Sequence, residues 1–194
     1  MNPFDYITLI PNAIPQDTID LILSHTNTNV SPALVGTSDS QAPNLDYRVT
    51  NWIALPIDIV QNVMSSLTEL YNTQLLPKYK QPIRNIEPTQ CLEYVPGGHY
   101  KAHNDSESYV NNKLQRVCNR DVSVLCYLND DYTGGGLEFT QYGITIKPKA
   151  GTILAFPSYF EFEHQVHPVE TGKRYSLVTW IETENRIYNR PYEN

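Results

Sequence analysis

The hydrophobic period of this chain changes near Glu87 from mainly helical to strand spacing, and that change constrains the fold more than any other feature. Before it, two segments place apolar residues at helical spacing. Residues 15–25 open with Pro15, carry Ile19, Ile22 and Leu23 on one side, and have Asp17 early and His25 late, in keeping with the helix dipole. A second helix starts at Pro56, with Ile57, Val60, Met64, Leu67, Tyr71 and Leu75 as its stripe, and ends near Pro77. After Glu87, runs of strand-forming residues alternate with Gly, Pro, Asn and Asp clusters. They predict strands near 88–95, 99–103, 121–129, 136–140, 143–147, 151–156, 162–168 and 173–182, with an earlier one at 47–54. Helices followed by strands predict an α+β fold, its helices packed on the outside of a β-barrel or sandwich.

Several of these strands are apolar on both faces. Val122, Val124, Cys126 and Leu128 alternate with Ser123, Leu125 and Tyr127, so one face can meet the helices while the other lines a pocket. Residues 26–46 and the polar stretch 106–120 read as loops, the first long enough to be functional or mobile. The triplet Gly134–Gly136 reads as a hairpin turn, because no phosphate-loop pattern surrounds it.

The 194 residues suit a single domain: 1–87 as mainly helical support, 88–182 as a strand-rich core, and 183–194 as a frayed tail. A net charge of −7 repels phosphate backbones, which argues against nucleic acid as a partner. Cys91, Cys118 and Cys126 form no paired motif and suit a reducing compartment. With neither a leader pattern at the start nor a membrane-spanning apolar run, a cytoplasmic location without membrane attachment is expected.

The chemistry concentrates in few residues. His103 and Asp105 are two apart and would share one side of an extended strand, close enough to bind one ion. Two His and one carboxylate on one face of an octahedron are the donor set of non-haem Fe(II) oxygenases. The third ligand must come from far along the chain, and His164 and His167 are both candidates that, three apart, face opposite sides of a strand. Arg174 lies in an otherwise largely apolar strand. Turned inward, its guanidinium needs an anion, and a carboxylate fits it bidentately; the alternative is an inward Lys173. Ser176, Val178 and Trp180 share the side of Arg174.

Residues 88–182 resemble the Fe(II)/2-oxoglutarate-dependent dioxygenases, in particular the prolyl 4-hydroxylase-like group. The resemblance runs through Gln90, Tyr94, Gly98-His-Tyr-Lys-Ala-His103-Asn-Asp105, Tyr127-Leu-Asn129, Gly134-Gly-Gly-Leu-Glu-Phe139, Lys147-Pro-Lys-Ala-Gly151, Phe156, His164-Gln-Val-His-Pro-Val169 and Gly172-Lys-Arg174-Tyr175. It implies a double-stranded β-helix, or jelly roll, with the metal in its open end. It also implies His103, Asp105 and His164 as metal ligands, and Arg174, Tyr127 and Tyr94 as the 2-oxoglutarate site. Fe(II), 2-oxoglutarate and O2 are the implied cofactors, with ascorbate a further one, and succinate and CO2 the co-products. A carboxylate at Asp105 implies hydroxylation in place of halogenation. The implied substrate is a prolyl residue of a peptide or protein, with Arg48, Tyr100 and Trp180 as candidate contacts. Competing readings are the same chemistry on a small molecule or nucleic acid, or a catalytically silent jelly-roll binding module.

Overall fold

The computed structural model describes residues 3–33, 35–37, 40–42 and 45–188. Two antiparallel sheets face each other. The larger runs in the order Thr8–Ile10, Ile153–Pro157, Val122–Tyr127, Arg174–Thr183, Gln90–Tyr94, Asn51–Ile53, Val30–Pro32, with Ile83–Ile86 added against the far end of Arg174–Thr183. The smaller runs Ile144–Ile146, Leu137–Phe139, His164–Val166, His99–His103, Arg48–Val49. This is the expected α+β jelly roll.

Parity divides the large sheet as the sequence predicts. Leu125, Arg174, Ser176, Val178 and Trp180 line the cavity between the sheets. Val122, Val124, Cys126, Leu177 and Ile181, of the opposite parity, join the helix residues Ile19, Ile22, Ile59, Val63 and Leu67 in one buried cluster. Each such aliphatic contributes about 1.5–3 kcal/mol when fully removed from water.

The helices α1 (Gln16–Ser24) and α2 (Ile57–Leu70) fall where expected, but the buried stripe of α2 differs from the predicted one. Ile59, Val63, Leu67, Tyr71 and Leu75 are buried, whereas Ile57 is exposed and Val60 and Met64 are half-buried. Apolar residues every four positions drift by roughly 40° per step around a 3.6-residue helix. A π-helical turn over Tyr71–Leu75 widens the last step, and Tyr71 is pinned there by its hydroxyl donating to Gln81 O at 2.7 Å. Helical structure continues past Pro77 as Leu76–Tyr79, with Pro77 near its N-terminus, where a missing N–H costs nothing.

Other expectations change. The segment 47–54 is two strands in different sheets, because the chain crosses at Thr50, whose hydroxyl donates to Glu93 O at 2.9 Å. Part of 26–46 is extended, as Val30–Pro32, Val35–Thr37 and Ser40–Ala42, while 34, 38, 39, 43 and 44 lie outside the described residues. Within 106–120, Glu107–Val110 and Lys113–Arg116 form a hairpin whose turn residues Asn111 and Asn112 both have positive φ, 51° and 60°.

Gly134–Gly136 is no hairpin turn. Thr133–Gly134 pairs with Val169–Thr171, and a Cβ on Gly134, at φ +69°, would collide with Pro168 O. Residues 183–188 are not frayed: Ile187 and Tyr188 are buried, and Tyr188 packs edge-on against Tyr6 and Phe162. The rest of the predicted tail, 189–194, lies outside the described residues. All three cysteines are free, and burial pushes the Cys91 and Cys126 thiols up to about 12, which leaves them as inert packing groups. Among the described residues no helix is long and apolar enough to cross a membrane.

Candidate metal and co-substrate site

His103 ends one strand of the small sheet and His164 begins its neighbour, and the two are direct cross-strand partners. With Asp105 they form a cluster whose candidate ligand atoms all lie within 4.8 Å of one another. His103 Nε2 is 3.7 Å from Asp105 Oδ1, and His164 Nε2 is 3.8 Å from Asp105 Oδ2. Asp105 does not reach this position by strand alternation, since its strand stops at His103. Instead its N–H donates to Ser158 O at 3.1 Å, and its Oδ2 accepts from Ser123 Oγ at 2.6 Å. Ser123 also pairs with Ser158 Oγ at 2.8 Å, so the carboxylate is tied to the large sheet.

Each imidazole is oriented by its own strand. Nδ1 of His103 lies 2.8 Å from Lys101 O, and Nδ1 of His164 lies 3.0 Å from Phe162 O. A carbonyl only accepts, so in both rings Nδ1 carries the hydrogen and Nε2 presents its lone pair to the cluster. Burial first, and then the neighbouring His164, push His103 down to about 3, which keeps it neutral and ready to ligate. For Asp105, burial alone would raise the carboxyl, yet the group lies below its ordinary value; any positive charge on His164 or His103 favours the carboxylate, and with both rings neutral the Ser123 hydroxyl is the donor that remains to hold it. Two neutral nitrogens and one carboxylate are the donors that Fe(II) takes in a facial triad. His167 faces the other way, 2.8 Å from Glu138, as the parity argument requires.

Arg174 points inward and is 1% exposed, the largest of the fully buried side chains, whereas Lys173 turns outward to Glu93. One guanidinium nitrogen donates to Ser176 Oγ at 3.1 Å, but Nε and Nη2 are buried without a hydrogen-bond partner. The rings of Tyr94 and Tyr127 flank it at 4.8 and 5.0 Å. The hydroxyls of Tyr127 and Tyr132 are buried and outside hydrogen-bond geometry, close enough to feel its charge. Burial raises the Tyr127 phenol, so it stays a neutral donor. A buried cation with idle N–H groups costs several kcal/mol unless an anion completes it. Arg174 with Tyr127 therefore fits the distal carboxylate of a small dicarboxylate. The cavity, about 810 Å³, has room for that molecule and part of another.

Arg48, Tyr100 and Trp180 all line this cavity. Tyr100 stacks on His103 at 3.6 Å, and Arg48 covers the other region of Tyr100 with its guanidinium carbon 4.6 Å from the ring. Trp180 lies beneath Arg120, 3.6 Å away, and Arg120 is held by Glu87 through two hydrogen bonds of 2.6 and 2.7 Å. Ser123, Arg120 and Tyr132 were not singled out from the sequence. For Ser123 the signal was present, as a small hydroxyl on the pocket-facing parity of a largely apolar strand; for Tyr132 there was none, because it lies between strands.

Comparison with known proteins agrees with this geometry. A family model described as the 2OG-Fe(II) oxygenase superfamily matches residues 89–182, a span that contains every metal-ligand candidate and Arg174. A PKHD-type hydroxylase of Pseudoalteromonas atlantica is 30% identical over 155 residues, which cover 76% of this chain and 65% of the relative. The chain thus spans just under two thirds of that relative's length. Among solved structures, the viral collagen prolyl hydroxylase of Paramecium Bursaria Chlorella virus-1 superposes with a TM-score of 0.66 at 20% identity, over 93% of this chain and 97% of that one. A Trichoplax adhaerens prolyl hydroxylase, in complex with a hypoxia inducible factor peptide fragment, gives 0.70 at 19% identity over 93% and 84%. At such identities the superpositions speak for the jelly roll alone. Family match, fold and the clustered His103, Asp105 and His164 coincide on one cavity, and residues 89–182, just under half of the chain, are similar to the 2OG-Fe(II) oxygenase superfamily.

Proposed function

We propose that this chain hydroxylates a prolyl residue of a peptide or protein, with Fe(II), 2-oxoglutarate and O2 as cofactor and co-substrates. The observation that carries the reading is the buried Arg174 with idle N–H donors in the same cavity as three convergent ligand atoms. When bound, iron and 2-oxoglutarate with O2 supply the oxidation of a C–H bond, giving succinate and CO2. The chain's part is placement and exclusion. His103, Asp105 and His164 would hold the metal, each supplying one ligand atom. Arg174 and Tyr127 fix the distal carboxylate, with Tyr94 packed beside them. Leu125, Leu137, Val166 and Val178 wall the cavity with groups that have no exchangeable hydrogen and keep water out. Tyr100, Arg48 and Trp180 are the proposed contacts to substrate.

The peptide assignment draws on the relatives, whose printed activities concern prolyl residues. The three free thiols support a reducing location, the cytoplasm. The test is to incubate the Fe(II) protein with 2-oxoglutarate and proline-containing peptides, following succinate and one added oxygen atom by mass spectrometry. Peptide-dependent succinate and an oxygenated proline are expected. Oxygen added only to offered free amino acids or oligonucleotides would move the substrate elsewhere.

A further inference from the structure

The cavity has two arginines that serve no internal partner fully, and they stand on opposite walls. Arg174 rises from the large sheet and, on the reading above, takes the co-substrate's carboxylate. Arg48 stands on the edge strand of the small sheet, paired in register with Tyr100, and is half-buried where Arg174 is fully buried. Its guanidinium lies over Tyr100, which lies in turn on the ligand His103. Stacking engages the flat face of a guanidinium and leaves the N–H donors in its plane available. Among the described residues none of those donors makes a hydrogen bond, Nε is buried without a partner, and no carboxylate is within ion-pair distance.

The other charges of the cavity wall are committed. Arg120 is clamped by Glu87; Glu107 accepts from Arg186 and the Phe160 N–H; Glu163 accepts from Thr140; Asp105 accepts from Ser123. Among the described residues no acid of the wall lies within ion-pair distance of Arg48. The net charge of −7 rules out general attraction of anions by the whole molecule, so any affinity for a carboxylate must arise from local geometry of this kind.

We propose that Arg48 is a specificity residue that binds a carboxylate of the substrate, so that the preferred target proline has an anionic group beside it. The proposal rests on the hydroxylase reading for its choice of proline, not for the anion. Two sources share the chemistry, an Asp or Glu side chain next to the proline and the main-chain carboxylate of a C-terminal proline. In either, an in-plane pair of N–H···O bonds positions the reacting ring against the metal face from the side opposite Arg174.

The experiment uses the Fe(II) protein with matched short peptides. One set has an internal proline flanked by Asp or Glu, by Asn or Gln, or by Lys, all with amidated ends; the other ends in proline with a free or an amidated carboxyl. KM is read from succinate formation, and peptide affinity from fluorescence anisotropy with Fe(II) and 2-oxoglutarate under anaerobic conditions. KM for a carboxylate-bearing peptide is expected to be about tenfold or more below its neutral counterpart, the size of a charge-assisted hydrogen bond. The set in which this appears identifies the source. Arg48→Gln should abolish the preference, Arg48→Lys should retain part of it, and Arg48→Glu should shift it toward the Lys-flanked peptide, with thermal melting confirming that each variant is folded. Turnover with equal KM across the charges overturns the proposal and leaves the hydroxylase intact. If no peptide is oxygenated, yet anisotropy shows a carboxylate preference that Arg48→Gln removes, the hydroxylase reading fails and the role of Arg48 stands. Absence of any preference in binding and turnover alike removes the role.

Discussion

His103 and His164 face each other across neighbouring antiparallel strands, and each is anchored through Nδ1 to the carbonyl two residues before it. The repeated i to i−2 bond sets both tautomers by backbone alone, so no second acidic side chain is needed to orient either ring. The third ligand is different: Asp105 depends on side chains of the opposite sheet, and that asymmetry makes it the position most open to tuning.

Ser123→Ala should weaken metal binding by roughly 10- to 100-fold while costing only about 1 kcal/mol of fold stability. Titration with Co(II), followed by its visible absorption, measures the first, and urea unfolding the second. Asp105→Ala, His103→Ala and His164→Ala should each remove the Co(II) signal. Undiminished affinity in Ser123→Ala would show that the hydroxyl does not hold the carboxylate.

Arg174→Gln should raise the KM for 2-oxoglutarate by roughly 10- to 100-fold, equivalent to ~1.5–3 kcal/mol, with the metal still bound. Because the guanidinium is buried with idle donors, Arg174→Met should leave the ligand-free protein as stable as the parent or more so. Thermal melting with and without 2-oxoglutarate checks both, since the ligand should raise the melting temperature of the parent only.

Glu93 gives a pH dependence of definite sign. Burial alone would raise its carboxyl, but Lys173, Asn51 and Tyr175 all donate to it and hold it below 4.5. The charged form is favoured by folding, so the stabilisation is fully present above pH 4.5 and is lost as pH falls through the lower folded value. Glu93→Gln should therefore be less stable than the parent at neutral pH, with the difference shrinking in acid. Urea midpoints across that range read it directly.

Gly134→Ala and Gly97→Ala separate two kinds of cost. Both glycines have positive φ, but an added Cβ meets nothing at Gly97 and collides with Pro168 O at Gly134. Gly97→Ala should cost about 1–2 kcal/mol, the left-handed penalty alone. At Gly134 the loss should be clearly greater, and because Val169–Thr171 pairs there just ahead of Arg174, 2-oxoglutarate affinity should fall with it.

How far the sequence could be read depended on whether a signal was local. The strands after residue 88 announce themselves by period and turn residues, and parity placed Arg174, Ser176, Val178 and Trp180 on one wall. Asp105 was rightly grouped with His103 on a mistaken premise, since nothing in a spacing of two reveals that a serine from another sheet sets the carboxylate. The hairpin 107–116 had a legible sign in Asn111-Asn112, the residues that tolerate positive φ, but its polar flanks hid it. The stripe of α2 differs from the expected one in its first two turns, ahead of the π turn, where Ile57, Ile59, Val60, Val63 and Met64 offer apolar residues on more than one face and tertiary packing selects Ile59 and Val63. Ile187 and Tyr188 are buried through contacts with Tyr159, Tyr6 and Phe162, partners too distant in sequence for any local pattern to report.

The ligand set spans both halves of the sandwich, with the imidazoles on one and the carboxylate fastened to the other. A cation seated there is a rivet as well as a reagent, drawing the two walls together at their open end. Chelation should accordingly loosen that rim first and leave the helix-backed side closed, a difference that hydrogen exchange would register as an unequal gain in mobility.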